Sequence, residues 1–280
     1  MRQTQSKDLR FDLVGKIFPV PAISLQQMTA TTAAPSPTIF TTAQFHAAVH
    51  ALSPRIAVFD CDGTLWSGDA GSGFMRWTIE KHILSPDAIA RLNARYQGYL
   101  AGQVSEIAIC GEMVQIYSGL READLRAAAA EYFATRVEPN IFPEMLTLIR
   151  ELQADSIEIW AVSSTCDWVV EEGVRRFNIP ADRVLSARVA IDANGIVTNT
   201  LLDVPTDEGK VASLARAGIK APDAVFGNSI HDAAMLAIAR RAFPVNPSPA
   251  LLTRAAAQGW PVFYPASVAP TAARTLNLEP

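Results

Sequence analysis

Apolar and polar positions follow two different patterns along the chain. Helical spacing after the capping-box pair Thr41 and Gln44 gives way to the apolar run Ile56–Phe59, which is typical of a strand buried on both faces of a parallel sheet. From about residue 68 to 155, apolar positions recur only at helical spacing. After residue 156, runs of strand length alternate with helical stretches again. The pattern therefore predicts an α/β protein that carries an inserted all-helical segment.

These patterns predict three regions. Residues 1–40 mix Pro, Thr, Ser and Gln without sustained periodicity, which indicates a disordered tail and leaves Met28 open as an alternative start to Met1. Residues 41–67 and 156–280 are predicted to form a doubly wound, Rossmann-like parallel sheet, with residues 68–155 as a helical lid. Ligands bind at the carboxyl ends of strands in such sheets, so a lid that leaves from the first strand's end is expected to cover the ligand site.

The second half of the chain supplies most of the predicted sheet. The predicted strands and apolar runs there are Ile157–Val162, Val184–Ile191, Ala224–Phe226 and Phe243–Val245. Between them, a helix is expected at Asp167–Phe177, a turn at Asn194 and Gly195, and a further helix at Asp232–Ala239.

Composition narrows the classes of function. Hydrophobic residues make up 49% and charged residues 19%, which is an ordinary globular balance. A net charge of −4 without a run of Lys and Arg argues against a nucleic-acid partner. No stretch approaches the roughly 18 consecutive apolar residues of a membrane span. The odd, widely spaced Cys61, Cys110 and Cys166 indicate a reducing, cytoplasmic setting, and Pro19 and Pro21 break the one short apolar run that could start a signal peptide.

The strongest chemical signal follows the first strand. The segment from Asp60 to Leu65 reads Asp-Cys-Asp-Gly-Thr-Leu, so two carboxylates lie two positions apart where the chain leaves the sheet. Side chains alternate along a strand, so Asp60 and Asp62 can face one site while Cys61 points into packing. Taken alone, this pattern also occurs in calcium loops and ordinary turns.

Three later segments decide between these readings. Ser163 follows a predicted strand, Lys210 closes the sequence Asp-Glu-Gly-Lys, and Asn228 and Asp232 lie in Gly-Asn-Ser-Ile-His-Asp. Alone, each would be a turn residue, a solvated lysine or a helix cap. Together and in this order, they resemble the four motifs of the haloacid dehalogenase superfamily of phosphohydrolases. The helical insertion and the segment Val245-Asn246-Pro247 further resemble its phosphoserine-phosphatase-like branch (subfamily IB, with a helical C1 cap).

The resemblance implies a role for each motif residue. Asp60 would attack phosphorus and become phosphorylated, and Asp62 would protonate the leaving alcohol and then deprotonate water. Ser163 and Lys210 would stabilise the phosphoryl group. The implied substrate contacts are Gly63, Thr64, Ser164 and Asp69. The implied Mg²⁺ ligands are Asp60, Asp62, Asn228 and Asp232, with second-shell support open for Asp232. A hard cation suits this site because a phosphate dianion is otherwise repelled by several carboxylates.

Several alternatives stay open at this stage. Asp69 lies nine residues after the nucleophile, where relatives often place an acid that meets a substrate amine, but it also reads as a capping residue. Asn228 stands where many relatives carry an acid, which predicts weaker Mg²⁺ affinity. His231 reads as a loop residue rather than a ligand. The sequence predicts a phosphatase for a small phosphomonoester such as phosphoserine, with a phosphotransferase or a catalytically weak binding or regulatory protein as alternatives, and it leaves a homodimer open.

Overall fold

The computed structural model describes residues 36–270. Regular structure begins at strand β1 (Ile39–Phe40), which pairs in parallel with β8 (Val262–Phe263). The predicted tail therefore ends two residues too late, because a two-residue strand gives no periodic signal. The rest of that tail, with both candidate start residues, and residues 271–280 lie outside the described part of the chain.

The main sheet has six strands in the order β5-β4-β3-β2-β6-β7. They are β2 (Ile56–Phe59), β3 (Glu158–Cys166), β4 (Val184–Ile191), β5 (Val197–Asp203), β6 (Ala224–Gly227) and β7 (Arg241–Pro244). All neighbours pair in parallel except β4 and β5, which form an antiparallel hairpin around the predicted turn. The predicted α/β fold with its doubly wound parallel sheet is confirmed, whereas β5 was not predicted. Strand β3 also continues beyond its predicted end at Val162, with an irregularity between Ser163 and Cys166.

Ten α-helices connect and cover the strands in residues 36–270. They are α1 (Thr42–Ala51), α2 (Ala70–Glu80), α3 (Pro86–Leu100), α4 (Glu106–Gln115), α5 (Glu122–Tyr132), α6 (Pro143–Ala154), α7 (Asp167–Val174), α8 (Glu208–Arg216), α9 (Ala233–Ala237) and α10 (Pro249–Gln258). The capping box that begins α1 is present. The helices predicted at Asp167–Phe177 and Asp232–Ala239 are shorter than expected. Arg175–Phe177 and Asp232 belong to 3₁₀ turns, and α9 ends at Ala237. No helix in this range is both long enough and apolar enough to cross a membrane.

Residues of α2, α3 and α4 line a cavity together with Asp60 and Ser163, and α5 packs against α2 and α7; these four helices are called the lid below. The last helix of the predicted insertion, α6, instead packs against α1 and β3, and its Met145, Leu148 and Ile149 are buried. It is the crossover helix that returns the chain to the sheet. One apolar cluster runs through both parts: the Trp66 ring meets Phe133 edge-on at 5.2 Å between centroids.

The β4–β5 hairpin supports the lid from the side. The amide of Gly119, in the loop between α4 and α5, donates to the Val197 carbonyl at 2.8 Å, and the Glu122 amide donates to the Gly195 carbonyl at 2.9 Å. Helix α4 also packs on both strands of the hairpin. The lid is therefore joined to the sheet through backbone hydrogen bonds as well as through its two chain connections.

Candidate active site

The predicted site residues lie at the carboxyl ends of adjacent strands. Asp60 follows β2, Ser163 lies near the end of β3, and Asn228 follows β6. The Asp60 amide donates to the Phe226 carbonyl at 2.9 Å, which ties the end of β2 to β6. The chain proceeds from β2 to β3 on one side and later returns to β6 on the other, so a crevice opens at this topological switch point.

Asp60 is held by a donor on each of its carboxylate oxygens. Its Oδ1 accepts from Lys210 Nζ at 2.7 Å and its Oδ2 from Thr64 Oγ1 at 2.9 Å. The residue is only 6% exposed. Burial, and then the negative charge of Asp232, raises the pKa of Asp60 to about 7, although the Lys210 ammonium opposes this. The ionised form therefore depends on positive charge beside it.

Lys210 supplies that charge from the first helical turn of α8. Its Nζ donates to Asp60, to Asp232 Oδ1 at 2.6 Å and to the Val162 carbonyl at 3.1 Å. All three ammonium donors are thus used. Burial lowers the pKa of Lys210, but the carboxylates of Asp232 and Asp60 outweigh burial and raise it above its usual value. The side chain stays charged between its two anions.

Asp232, the second carboxylate bound by Lys210, is fully buried. Its Oδ2 accepts from the amides of Asn228 and Ser229, both at 2.9 Å, while its Oδ1 binds Lys210. A Cβ atom at Gly227 would lie 2.6 Å from the Asp232 Cβ, so the close approach requires glycine there. The arrangement favours the supporting role that the sequence left open, because Asp232, unlike Asp60, is fully buried and does not border the cavity.

Asp62 is half-buried and accepts three hydrogen bonds. Trp66 Nε1 donates to its Oδ1 at 2.6 Å, the Ala70 amide to the same atom at 2.9 Å, and Thr165 Oγ1 to its Oδ2 at 2.7 Å. Burial, and then the charge of Asp69, raises the pKa of Asp62 to about 6 despite these donors. Sequence reasoning missed Thr165, which lies two positions beyond the motif serine in a run of hydroxyl residues.

Small and hydroxyl side chains shape the space beside Asp60. Ser163 is 2% exposed, lines the cavity with Ser164, and accepts from the Thr165 amide at 3.2 Å. Gly63 has a φ of +73°, and a Cβ there would come within 1.9 Å of Asn228 Nδ2. A side chain at this position would therefore be strained and would displace the Asn228 amide.

The oxygen groups at this edge fit a hard cation. Within residues 36–270, no three His, Cys, Asp or Glu side chains form a cluster that could hold a metal ion. Asp60, Asp62 and Asn228, which carry carboxylate and amide oxygens, nevertheless border one cavity. Such a set suits Mg²⁺, which takes oxygen ligands, keeps several waters and needs few protein groups.

A cavity of about 960 Å³ opens above these residues and under the lid. Its lid side is lined by Asp69, Met75, Arg76, Tyr96, Tyr99, Glu106 and Met113. The sequence left Asp69 open as a substrate contact or a capping residue. Its Oδ1 caps α2 by accepting a hydrogen bond from the Ser72 amide at 2.8 Å, and the residue also borders the cavity.

Other predicted side chains also have defined positions. His231 lies in a 3₁₀ turn on the cavity wall, with its Nδ1 at 2.8 Å from Asp207 Oδ1. The three cysteines are buried and free, and Cys61 packs in the main apolar cluster.

Comparison with known proteins identifies the family. Residues 57–237 match the haloacid dehalogenase-like hydrolases. A histidinol-phosphatase from Neisseria meningitidis is 22% identical over 218 residues, which cover 74% of this chain and 97% of that relative. A protein of unknown function from Bordetella pertussis has a similar structure, with a TM-score of 0.65, 21% identity, and coverage of 75% of this chain and 98% of that one. A substrate-bound phosphoserine phosphatase has a TM-score of 0.52 at 14% identity, with coverage of 75% and 92%. The chain therefore belongs to the haloacid dehalogenase-like hydrolases.

Proposed function

We propose that this enzyme hydrolyses a small phosphomonoester with Mg²⁺, by transferring the phosphoryl group to Asp60 and then to water. The supporting observation is the environment of the Asp60 carboxylate at the base of the cavity. Lys210 and Thr64 each donate to one of its oxygens, at 2.7 and 2.9 Å, so its orientation is fixed. Lys210 also offsets negative charge as a phosphate dianion approaches, an electrostatic effect that is in place before the reaction begins.

The reaction has two balanced halves. In the first, an Asp60 oxygen forms a bond to phosphorus, the ester P–O bond breaks, and the leaving oxygen takes a proton from Asp62. In the second, Asp62 takes a proton from water, the water oxygen bonds to phosphorus, and the Asp60–phosphorus bond breaks. A pKa of about 6 suits a group that gives and takes a proton near neutral pH. The hydrogen bonds from Trp66 and Thr165 keep the Asp62 carboxyl group in one orientation.

Bound Mg²⁺ would supply the positive charge that lets a phosphate ester approach the carboxylates. Asp60, the Asp62 main chain and Asn228 would hold it. Asp232 would act indirectly, by fixing Lys210 and the amides that position Asn228. Gly63, Ser163 and Ser164 border the cavity in which the phosphoryl group would lie. Thr64, which the resemblance implied as a substrate contact, is fully buried and donates to Asp60 instead.

Two substrates are the first to test. Phosphoserine follows from the resemblance of the motifs and the helical lid, and histidinol phosphate follows from the name of the Neisseria relative. Both are small phosphate esters that carry an amine, and Asp69 on the lid side could accept a hydrogen bond from it. The cytoplasmic setting and the homodimer stay predictions.

Replacing Asp60 by Asn tests the proposal directly. We expect turnover of these esters to fall by at least about a thousandfold, as for other catalytic nucleophiles. We also expect ³²P-labelled ester to label the parent chain at Asp60 after an acid quench. The matched control is Asp124→Asn, which removes an exposed carboxylate that pairs with Arg121 on the surface. Full turnover by Asp60→Asn would overturn the proposal, and absence of label at saturating Mg²⁺ would favour the binding or regulatory alternative.

A further inference from the structure

Asp207, the residue directly before α8, has a backbone conformation that residues other than glycine rarely adopt. Its φ is 49° and its ψ is −127°. The Gly209 amide donates to the Thr206 carbonyl at 2.7 Å, which is the pattern of a type II′ turn with Asp207 at its first central position. Glycine is the usual residue there, so an aspartate is strained. Such strain persists where surrounding contacts compensate for it, often at functional sites.

Capping of its own helix does not account for an aspartate at this position. Asp207 is the N-cap residue of α8, where an aspartate usually accepts a hydrogen bond from one of the first helical amides. Its side chain makes no such bond. Its Oδ1 lies 2.8 Å from His231 Nδ1, and since a carboxylate can only accept, Nδ1 is the donor. The carboxylate therefore binds a residue of another loop instead of capping α8.

His231 lies in the same short turn as Asp232. This turn, Ile230–Asp232, follows Ser229, whose Oγ accepts a hydrogen bond from the His231 amide at 3.2 Å. On the other side of the ring, His231 Nε2 is 3.8 Å from Glu106 Oε2, which is beyond hydrogen-bonding distance. The bond to Asp207 is therefore the one that fixes the orientation of the ring.

Two contacts thus join the same pair of loops. Lys210 Nζ donates to Asp232 Oδ1 at 2.6 Å, and both of these residues are buried. His231 donates to Asp207 nearer the surface, with their side chains 34% and 42% exposed. Asp207 lies three positions before Lys210, and His231 lies one position before Asp232. The outer contact therefore holds the start of α8, from which the Lys210 side chain extends.

We propose that Asp207 and His231 are positioning residues that hold the first turn of α8 so that Lys210 meets Asp60 in its reactive arrangement. This inference rests on the proposed function, because the pair acts only through Lys210. A lysine has a flexible four-carbon stem, so a shift at the start of α8 moves the ammonium group relative to the phosphoryl group. A misplacement of about 1 Å can lower a rate about a hundredfold. The strain at Asp207 is then retained for activity and not for stability.

Substitutions of the pair separate this role from a structural one. Asp207→Gly removes the carboxylate but suits the positive φ. With Mg²⁺ and whichever of phosphoserine and histidinol phosphate the parent hydrolyses faster, we expect its kcat to fall by about 10- to 100-fold. KM should change by less than about threefold, because Lys210 acts mainly on the transition state. The unfolding temperature should fall by no more than about 2 °C, since glycine relieves the strained turn.

Two further variants test whether Asp207 and His231 act as a unit. His231→Phe keeps a ring of similar size but removes the donor, so it should lose about as much kcat as Asp207→Gly. The double variant should lose no more than either single one, because both substitutions break the same contact. Asp207→Asn keeps an acceptor for His231 Nδ1, and its kcat should stay within about threefold of the parent.

The matched control is Ser156→Gly. Ser156 is an exposed residue with a φ of 62° just before β3, at the opposite end of that strand from Ser163. Glycine should relieve its backbone in the same way and leave kcat and KM unchanged. An Asp207→Gly kcat within about threefold of the parent would overturn the inference, as would losses that multiply in the double variant. Equal losses in kcat for Asp207→Asn and Asp207→Gly, with unfolding temperatures lower by more than about 5 °C, would assign a purely structural role and also overturn it. Failure to label Asp60 in the parent would instead count against the proposed function.

Discussion

Replacing Asp232 by Asn would measure how much the buried ion pair between Asp232 and Lys210 contributes to the free energy of unfolding. Asn keeps the shape of the side chain but turns one oxygen into a donor. The two oxygens of Asp232 face Lys210 at 2.6 Å and the amides of Asn228 and Ser229 at 2.9 Å, so the new NH₂ group must meet a donor on either side. Breaking a buried ion pair costs about 3–5 kcal/mol, and we expect about 3 here because Lys210 keeps Asp60 as a partner.

At roughly 2–4 °C per kcal/mol for a chain of this size, the unfolding temperature should fall by about 6–12 °C. The assay is urea and thermal unfolding followed by circular dichroism, without Mg²⁺ or phosphate, so that ligand binding does not alter the comparison. Asp124→Asn, in the exposed first turn of α5, should lower the midpoint by no more than about 4 °C, because an acid at that place contributes at most about 1 kcal/mol. A loss of less than about 1 kcal/mol in the free energy of unfolding of Asp232→Asn would refute the reasoning. It would mean that the site accommodates an NH₂ group facing Lys210 or the two amides at little cost.

Three further substitutions test separate parts of the structure. Thr165→Val removes a donor that stabilises ionised Asp62, so the pKa of Asp62 should rise above about 6, the corresponding limb of the pH–rate profile should move to higher pH, and kcat should fall about tenfold. Asn228→Asp adds a charged oxygen ligand, so activity measured against Mg²⁺ should saturate at a lower concentration; an unchanged requirement would show that Asn228 is not a ligand. Burial raises the pKa of Asp167 to about 6, although Arg188 opposes this. Below about pH 4 the carboxyl group is protonated in both the folded and the unfolded chain and does not change the stability. Above pH 6 it is ionised in both, and keeping the charge buried lowers the free energy of unfolding by up to about 3 kcal/mol. Urea unfolding should accordingly show Asp167→Asn gaining stability relative to the parent between pH 4 and pH 7, and a difference that does not vary with pH would contradict this.

The sequence was sufficient to predict at which edge of the sheet the motif residues meet. Asp60 and Asn228 each follow a short apolar run, and the carboxyl ends of parallel strands must meet at one edge. The order of the motifs then related Ser163, Lys210 and Asp232 to the same site. The contacts among these residues could not be predicted, because they depend on which oxygen faces which donor once the strands are packed.

The lid side of the cavity was much harder to predict. Glu106 follows the capping residue Ser105, and an acid in the first turn of a helix is ordinary whether or not it faces a ligand. Whether Glu106 reaches the cavity depends on how α4 lies over the sheet, which periodicity does not report. The assignment of α6 to the insertion failed for a related reason, since an amphipathic helix shows the same apolar stripe against a lid or a sheet. Strand β5 was missed because its sequence does not alternate apolar and polar residues. Its two leucines, Leu201 and Leu202, are adjacent, and both are exposed in the structure.

The backbone bonds between the β4–β5 hairpin and the loop after α4 constrain how molecules enter and leave. A rotation of α2 to α5 away from the strands either breaks the bonds at Gly119 and Glu122 or carries the hairpin with it. Access to the buried chemistry is therefore mechanically coupled to the outermost antiparallel edge of the molecule. A ligand or substitution that fixes or loosens the β4–β5 hairpin would therefore change the rates of substrate entry and product release without contacting a reacting atom.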